Sequence, residues 1–426
     1  MKREGLDWVK SACRRSYARV WPAAAVAACL GLAASPAAAL NLNEWIPGLT
    51  LSPFFSERVE HESNVFQVPR GAKSDVISRS IPGIVGDFTA GPLAISAGYR
   101  MEILRYMDLT EQDTENHALV GQIKLDLPRL KLGLRDDFVI TTTPPGAELT
   151  GPIKSTTNTL VPVGEYRLTE RFSIGLNGSW IQQSFQGGKG GGQSGGQSGG
   201  QGVAAQQDEA VKQLDRDEYL YGATVFWKFR PKADLRLDYA YGIKSFEQDA
   251  TRNVTRHVLT IGLRGDVTSK LQSTFRIGIE DRQPESSQVK GYVGFVVGGG
   301  WVYQPTERTR ISLETERSVQ ESIFANAVYY IANTVNLSVE QVLGTPKLVA
   351  TAQLGLGEDA YPTKSTVNNQ TKWRQDTLLG AGVGLVYTIQ PWLRVGVECQ
   401  YQKRNSNFND SDYDDSKFSG RITVQF

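Results

Sequence analysis

Arg100, Lys124, Lys131, Arg135, Arg171, Arg236, Arg264, Arg276, Arg310, Arg394 and Arg421, together with Glu280 and Glu398, fall on the polar parity of segments that alternate polar and apolar residues. Basic groups lining one water-filled passage would concentrate anions, because a focused positive potential raises the local concentration of the opposite sign. The same charges could instead pair across strands and set register. Arg282, Glu102, Asp126, Asp238, Glu314 and Glu316 share the parity, and cations outnumber anions in the set. Gly294, Gly298, Gly300, Gly380, Gly382 and Gly384 also fall there, and without side chains they would widen such a passage.

Other chemistry has less to work with. His61, His117 and His257 lie in different hairpins, with no Ser or Cys in a nucleophile motif nearby. Asp136 and Asp137 are adjacent, so in a strand they point to opposite faces and cannot share a proton. Asp410, Asp412 and Asp414 match the first, third and fifth places of a calcium loop. The sixth and twelfth places hold Asp415 and Arg421 instead of Gly and Glu, so a solvated acidic loop is the reading. No catalytic residue, cofactor site or metal site is expected.

The elements that would position the charges are strands. Leu93, Ile95, Ala97, Tyr99, Met101 and Ile103 alternate with Ser96, Gly98, Arg100 and Glu102, and Leu130-to-Ile140 and Leu393-to-Tyr401 repeat the split. Such segments are joined alternately by short turns, such as Pro128-Arg129, Thr169-Glu170 and Pro391-Trp392, and by longer polar stretches. The long stretches are His61–Lys73, Thr143–Ser155, Gln186–Leu214, Glu358–Gln370 and Ser406–Asp414. Counting from Leu49 gives about eighteen strands, an even number that closes a barrel. The expected fold is all-β: a closed antiparallel transmembrane β-barrel spanning residues 40–426, with short turns at one rim and long loops at the other. Trp227, Phe229, Trp301, Tyr303 and Tyr387 form one aromatic belt, and Trp180, Tyr219, Tyr221 and Tyr401 the other. Phe418, Gly420, Ile422, Val424 and Phe426 make the last strand's outer face. Its terminal aromatic resembles the sorting signal of outer-membrane barrels, with Val424 standing where a second aromatic is usual. The Gly-rich run 187–202 is too poor in apolar residues to order itself and is expected to be an exterior loop.

Residues 1–39 read as a signal peptide: a basic segment, an Ala-rich apolar run from Pro22 to Ala34, and small residues at Ala37-Ala38-Ala39. Twin-arginine and lipoprotein readings rest on Arg14-Arg15 and Cys29 and fit less well. Cleavage would remove six Lys/Arg and two Asp/Glu, taking the net charge from +1 to −3. A mature chain of that charge offers no polycationic surface for nucleic acid. Cys399 alone would remain, facing outward, so no intramolecular disulfide is possible. The destination is the bacterial outer membrane, and the partners that follow are membrane lipids, lipopolysaccharide and the outer-membrane assembly machinery.

Leu51-Ser52-Pro53-Phe54-Phe55-Ser56-Glu57, then Glu62-Ser63-Asn64-Val65-Phe66, then Ser74-Asp75-Val76-Ile77 through Ile81-Pro82-Gly83, resemble the opening hairpin of a family of outer-membrane β-barrel porins associated with bacterial exopolysaccharide export systems. The resemblance implies a passive conduit for a polysaccharide polymer, partnered by a periplasmic polysaccharide-export protein, with no catalytic residues. Two alternatives stay open: a diffusion porin for small anionic solutes, and a non-channel structural or adhesive barrel.

Overall fold

Period-two alternation is realised as eighteen antiparallel strands, each hydrogen-bonded to its sequence neighbours, with β1 also paired to β18 so that the sheet closes. The computed structural model describes residues 46–142, 153–186, 211–324, 327–367, 370–408 and 411–426. Residues 1–39, expected to be a signal peptide, the Gly-rich run 187–202 and Asp410 lie outside them. The strands are β1 Leu49–Glu62, β2 Asp75–Ala90, β3 Leu93–Tyr106, β4 Thr114–Asp126, β5 Leu130–Thr141, β6 Lys154–Arg167, β7 Phe172–Gln186, β8 Arg216–Arg230, β9 Ala233–Phe246, β10 Val254–Asp266, β11 Leu271–Pro284, β12 Tyr292–Thr306, β13 Thr309–Phe324, β14 Ala327–Val342, β15 Leu348–Val367, β16 Gln370–Gln390, β17 Leu393–Ser406 and β18 Tyr413–Gln425. Closure leaves no free edge around the ring, which a sheet in hydrocarbon requires because lipid cannot hydrogen-bond an exposed backbone.

The two faces differ as lipid and water demand. Leu176, Ile261, Ile279, Phe295, Val383 and Phe418 stand outward and exposed. Trp227, Phe229, Tyr303 and Tyr387 are exposed near the short-turn rim. Trp180 donates from Nε1 to Asp217 at 3.1 Å and stacks on Tyr219 toward the other rim. Some outward polar groups are satisfied locally. Glu57 is only 7% exposed and accepts from the Ser78 and Ser80 hydroxyls, each at 2.6 Å, which offsets the cost of holding a carboxylate against lipid.

Two hairpins repeat each other. Shifting β3, its loop and β4 by 140 positions reproduces the bounds of β9 and β10, including a 3-10 turn at Thr110–Gln112 and again at Ala250–Arg252. In both, a tyrosine hydroxyl meets a histidine Nδ1 at 2.9 Å on the outer face, Tyr99 with His117 and Tyr239 with His257.

One expected loop is not one. Glu358–Gln370 lies almost wholly within β15 and β16, which run twenty and twenty-one residues. The segment rises past the apolar band, where the outer face no longer needs apolar residues, so its strand character left no alternation to read. The acidic stretch ending at Asp415 is not a solvated loop either. Asp414 and Asp415 belong to β18, and Asp415 is 1% exposed.

Candidate functional site: the charged inner face

Arg264 on β10 reaches Glu165 on β6, Nη1 to Oε2 at 3.0 Å, while its Nη2 meets Asp234 on β9 at 2.8 Å. Three strands separate β6 from β10, so these side chains meet only on the concave side of the wall. Paired residues share a face, and the register carries that assignment round the ring. Arg100, Lys124, Lys131, Arg135, Arg236, Arg264, Arg276, Glu280, Arg310, Arg394, Glu398 and Arg421 all fall on it. Arg171 differs, standing in the turn between β6 and β7.

The structure gathers these residues at two places. At the short-turn rim a cavity of about 210 Å3 is lined by Arg129, Lys131, Arg167, Arg171, Lys228 and Arg264 against Glu165, Glu170 and Asp234. Arg264 engages two of those carboxylates, and its guanidinium lies 3.9 Å from the centre of the Phe226 ring. Lys131 reaches Asp126 at 3.8 Å. At the barrel's closing seam Arg58 and Arg421 are cross-strand partners, with Arg394 nearby on β17. Arg58 meets Glu398 at 3.9 Å and Arg394 donates to the Gln425 amide at 2.5 Å. Elsewhere charges pair along a strand, as Arg135 does with Asp137 and Arg236 with Asp238, both i to i+2. Among the described residues Arg100, Lys124, Arg276, Arg310 and Arg421 enter no ion pair.

Sequence reading found only part of the acidic half of this face. Glu60, Asp75, Glu165, Glu218, Asp234, Asp376 and Asp415 are also inward, and an acidic residue stands there for nearly every basic one. The parity of β1, β6 and β8 carried that signal. The glycine expectation is corrected too. A Cβ at Gly294 would meet the Tyr292 hydroxyl at 2.0 Å, at Gly298 the Arg276 Nε at 3.1 Å, and at Gly384 the Thr351 hydroxyl at 2.8 Å. These glycines are beds on which neighbouring side chains lie flat, and Gly380 alone of the six faces open space within 4 Å.

At the long-loop rim the opening-hairpin motif shows its purpose. Asn64 Nδ2 donates to the Val68 and Asp414 carbonyls at 2.9 and 3.0 Å, and its Oδ1 accepts from Val68 N at 3.1 Å. Asp415 Oδ1 accepts from Ser63 N, Ser63 Oγ and Asn64 N. Asp75 takes the backbone N–H groups of Met107, Asp108 and Leu109. Val65 and Phe66 then pack on Leu109 and Tyr106. Buried carboxylates thus hold two loops inward through charge-assisted hydrogen bonds.

The β12–β13 ladder stops at Val297 and Arg317, although both strands continue. Beyond it the tip of β13 and β14 turns into the barrel. Glu321 meets Lys244 of β9 at 3.0 Å and Arg282 of β11 at 2.9 Å in a pair of hydrogen bonds, and Tyr329 lies beneath the Arg282 guanidinium. Arg252 from the β9–β10 loop donates to the Ser322 carbonyl at 2.6 Å.

Solved structures of similar fold include Pseudomonas aeruginosa OpdQ, at 11% identity over 90% of this chain and 100% of that one with a TM-score of 0.47. Pseudomonas aeruginosa OccK1 (OpdK) is 10% identical over 88% and 99%, TM-score 0.45, and Acinetobacter baumannii OccAB3 10% over 88% and 99%, TM-score 0.46. No curated protein matches the chain. The family model described as "Putative beta-barrel porin 2" matches residues 48–426, and the chain belongs to that family of outer-membrane β-barrel porins.

Proposed function

We propose that the barrel is a passive diffusion pathway for small anionic solutes. The observation that carries this is the cavity at the short-turn, periplasmic rim, where six basic side chains face three carboxylates. Two of those three are already engaged by Arg264, so Arg129, Arg171 and Lys228 are left to a solute. The unpaired Arg100 and Arg276 extend the positive wall above it, and Lys124 and Arg310 extend it round the short-turn rim. Such a wall attracts and holds anions weakly at several successive points, which favours passage over tight binding.

The exopolysaccharide conduit expected from the first hairpin is supported less well. A polymer would have to pass the Arg264–Glu165 bridge and the inward β13–β14 tip, both of which project from the wall. Reversal potentials across planar bilayers in a salt gradient test the proposal: an anion-selective sign is expected, and a cation-selective sign would refute it. In cells, deletion is expected to lower uptake of small anions and leave surface polysaccharide unchanged. The opposite pattern would restore the polymer reading and its periplasmic export partner.

A further inference from the structure

The β13–β14 tip lies inside the barrel, yet its sequence still carries the alternation of a wall strand. If the β12–β13 register continued past Val297 and Arg317, Ser318 would face Val296, Val319 would face Phe295, Gln320 would face Gly294 and Glu321 would face Val293. Val319 would then point outward, as would Tyr329 on β14 and Glu321 itself, and Ser318, Gln320 and Ser322 to water. Apart from Arg317 and Glu321, which take the outward parity near the long-loop rim, that is the alternation of a wall strand.

In the structure the place of this missing ladder is taken by side chains. Arg317 Nε donates to the Phe295 carbonyl at 3.1 Å with its guanidinium 4.3 Å from the Phe295 ring centre, and the Tyr329 hydroxyl donates to the Gly291 carbonyl at 3.4 Å. Val293 and Phe295 are left 73% and 55% exposed on the outer face. Glu321 supplies the ion pairs that hold the tip in the observed place, beside the Arg252 bond to the Ser322 carbonyl and the Tyr329 contacts.

The pocket that receives this carboxylate is built for an anion. Lys244 and Arg282 have side chains 8% and 3% exposed. Arg216 stands beside them, paired with Glu218 at 2.7 Å, and Lys244 also meets Glu218 at 3.2 Å. Glu280, 4% exposed with an unpartnered Oε1, is the other acid on this wall. With Glu321 gone, Lys244, Arg282, Arg216 and Arg256, the cross-strand partner of Arg282, share this wall with two carboxylates.

We propose that Lys244 and Arg282 form a carboxylate-binding site, that Glu321 occupies it in the resting protein, and that a solute carboxylate displacing Glu321 frees the tip to pair with β12. This deepens the anion-channel reading and rests on it. Glu321 is thus an internal competitor for the permeating anion, and solute binding itself clears the bore.

The test uses the full chain in proteoliposomes with Cys399 replaced by Ser and the pair Phe295→Cys and Val319→Cys, which become neighbours only when the tip is in the wall. Adding succinate is expected to raise disulfide yield about tenfold, as a ligand that binds only the released state must. Adding Glu321→Gln is expected to give high yield without succinate. The pair Trp301→Cys and Leu313→Cys, already cross-strand partners, reports correct assembly by cross-linking throughout. No cross-link in the Glu321→Gln background, beside full cross-linking of that control, would overturn the proposal. So would a yield indifferent to succinate in a channel that still selects anions, which leaves the anion reading standing. Loss of anion selectivity itself would show in the reversal potential instead.

Discussion

Replacing Arg264 by Ala removes one positive charge from the cavity at the short-turn rim. The guanidinium is already paired with Glu165 and Asp234, but pairing does not cancel its field: deleting it changes the charge of the cavity by one whatever its partners. Take about 8 Å between guanidinium and permeating ion, an effective dielectric of roughly 40–80 and a screening length of about 8 Å; Coulomb's law then gives about 0.2–0.4 kcal/mol. Anions lose that much and cations gain it, so the anion-to-cation permeability ratio is expected to fall about two- to fourfold. Half-exposed ion pairs are worth roughly 0–1 kcal/mol, so the barrel should still assemble and migrate heat-modifiably on gels. Reversal potentials in a potassium chloride gradient read the ratio directly. Arg264→Lys keeps the charge but loses the two-carboxylate fork, and should leave the ratio within error of the parent. If Ala and Lys lower it equally, the bridge across the wall matters and the field does not, and the reasoning fails.

Asn64→Ala removes three hydrogen bonds that fold the first loop inward, at a cost of about 1–3 kcal/mol. Faster hydrogen exchange confined to residues 63–74 and 107–113 is the expected readout. Gly278→Ala would put a Cβ 1.9 Å from the Leu259 carbonyl oxygen, on backbone that cannot yield, whereas at Gly380 nothing lies within 4 Å. Outer-membrane yield should collapse for the first and hold for Gly380→Ala; equal yields would contradict the glycine argument. Deleting Phe426 removes the terminal aromatic and a backbone bond to the Pro53 carbonyl at 3.1 Å, and a fall in assembled protein, measured by heat-modifiable migration, is expected.

The barrel and the facing of its charges were legible because both depend on alternation alone, a property each strand carries without reference to its partner. The strand residues of the charged set, from Arg100 to Arg421, share one face of the sheet for that reason. What was not legible depends on distance across the ring. Nothing local links Glu165 to Arg264 ninety-nine residues later, or Lys244 to Glu321. The β13–β14 tip was unreadable for a different cause: its alternation is the same whether it stands in the wall or lies inside. The inward glycines were misread because a missing side chain says nothing about whose side chain fills the space.

The repeated hairpin has a consequence for how such a wall changes. Between β3–β4 and β9–β10, Tyr99, Ile103, His117 and Leu119 reappear as Tyr239, Ile243, His257 and Leu259, all on the outer face. Their inward neighbours Arg100, Glu102, Leu104 and Asn116 become Ala240, Gly242, Lys244 and Arg256. A stave one residue thick is in effect two surfaces interleaved letter by letter, and at these positions the lipid-side letters are shared while the water-side letters between them are rewritten. One of the rewritten letters is Lys244, which holds the inward tip. A barrel of this kind can acquire a new bore without renegotiating its place in the membrane.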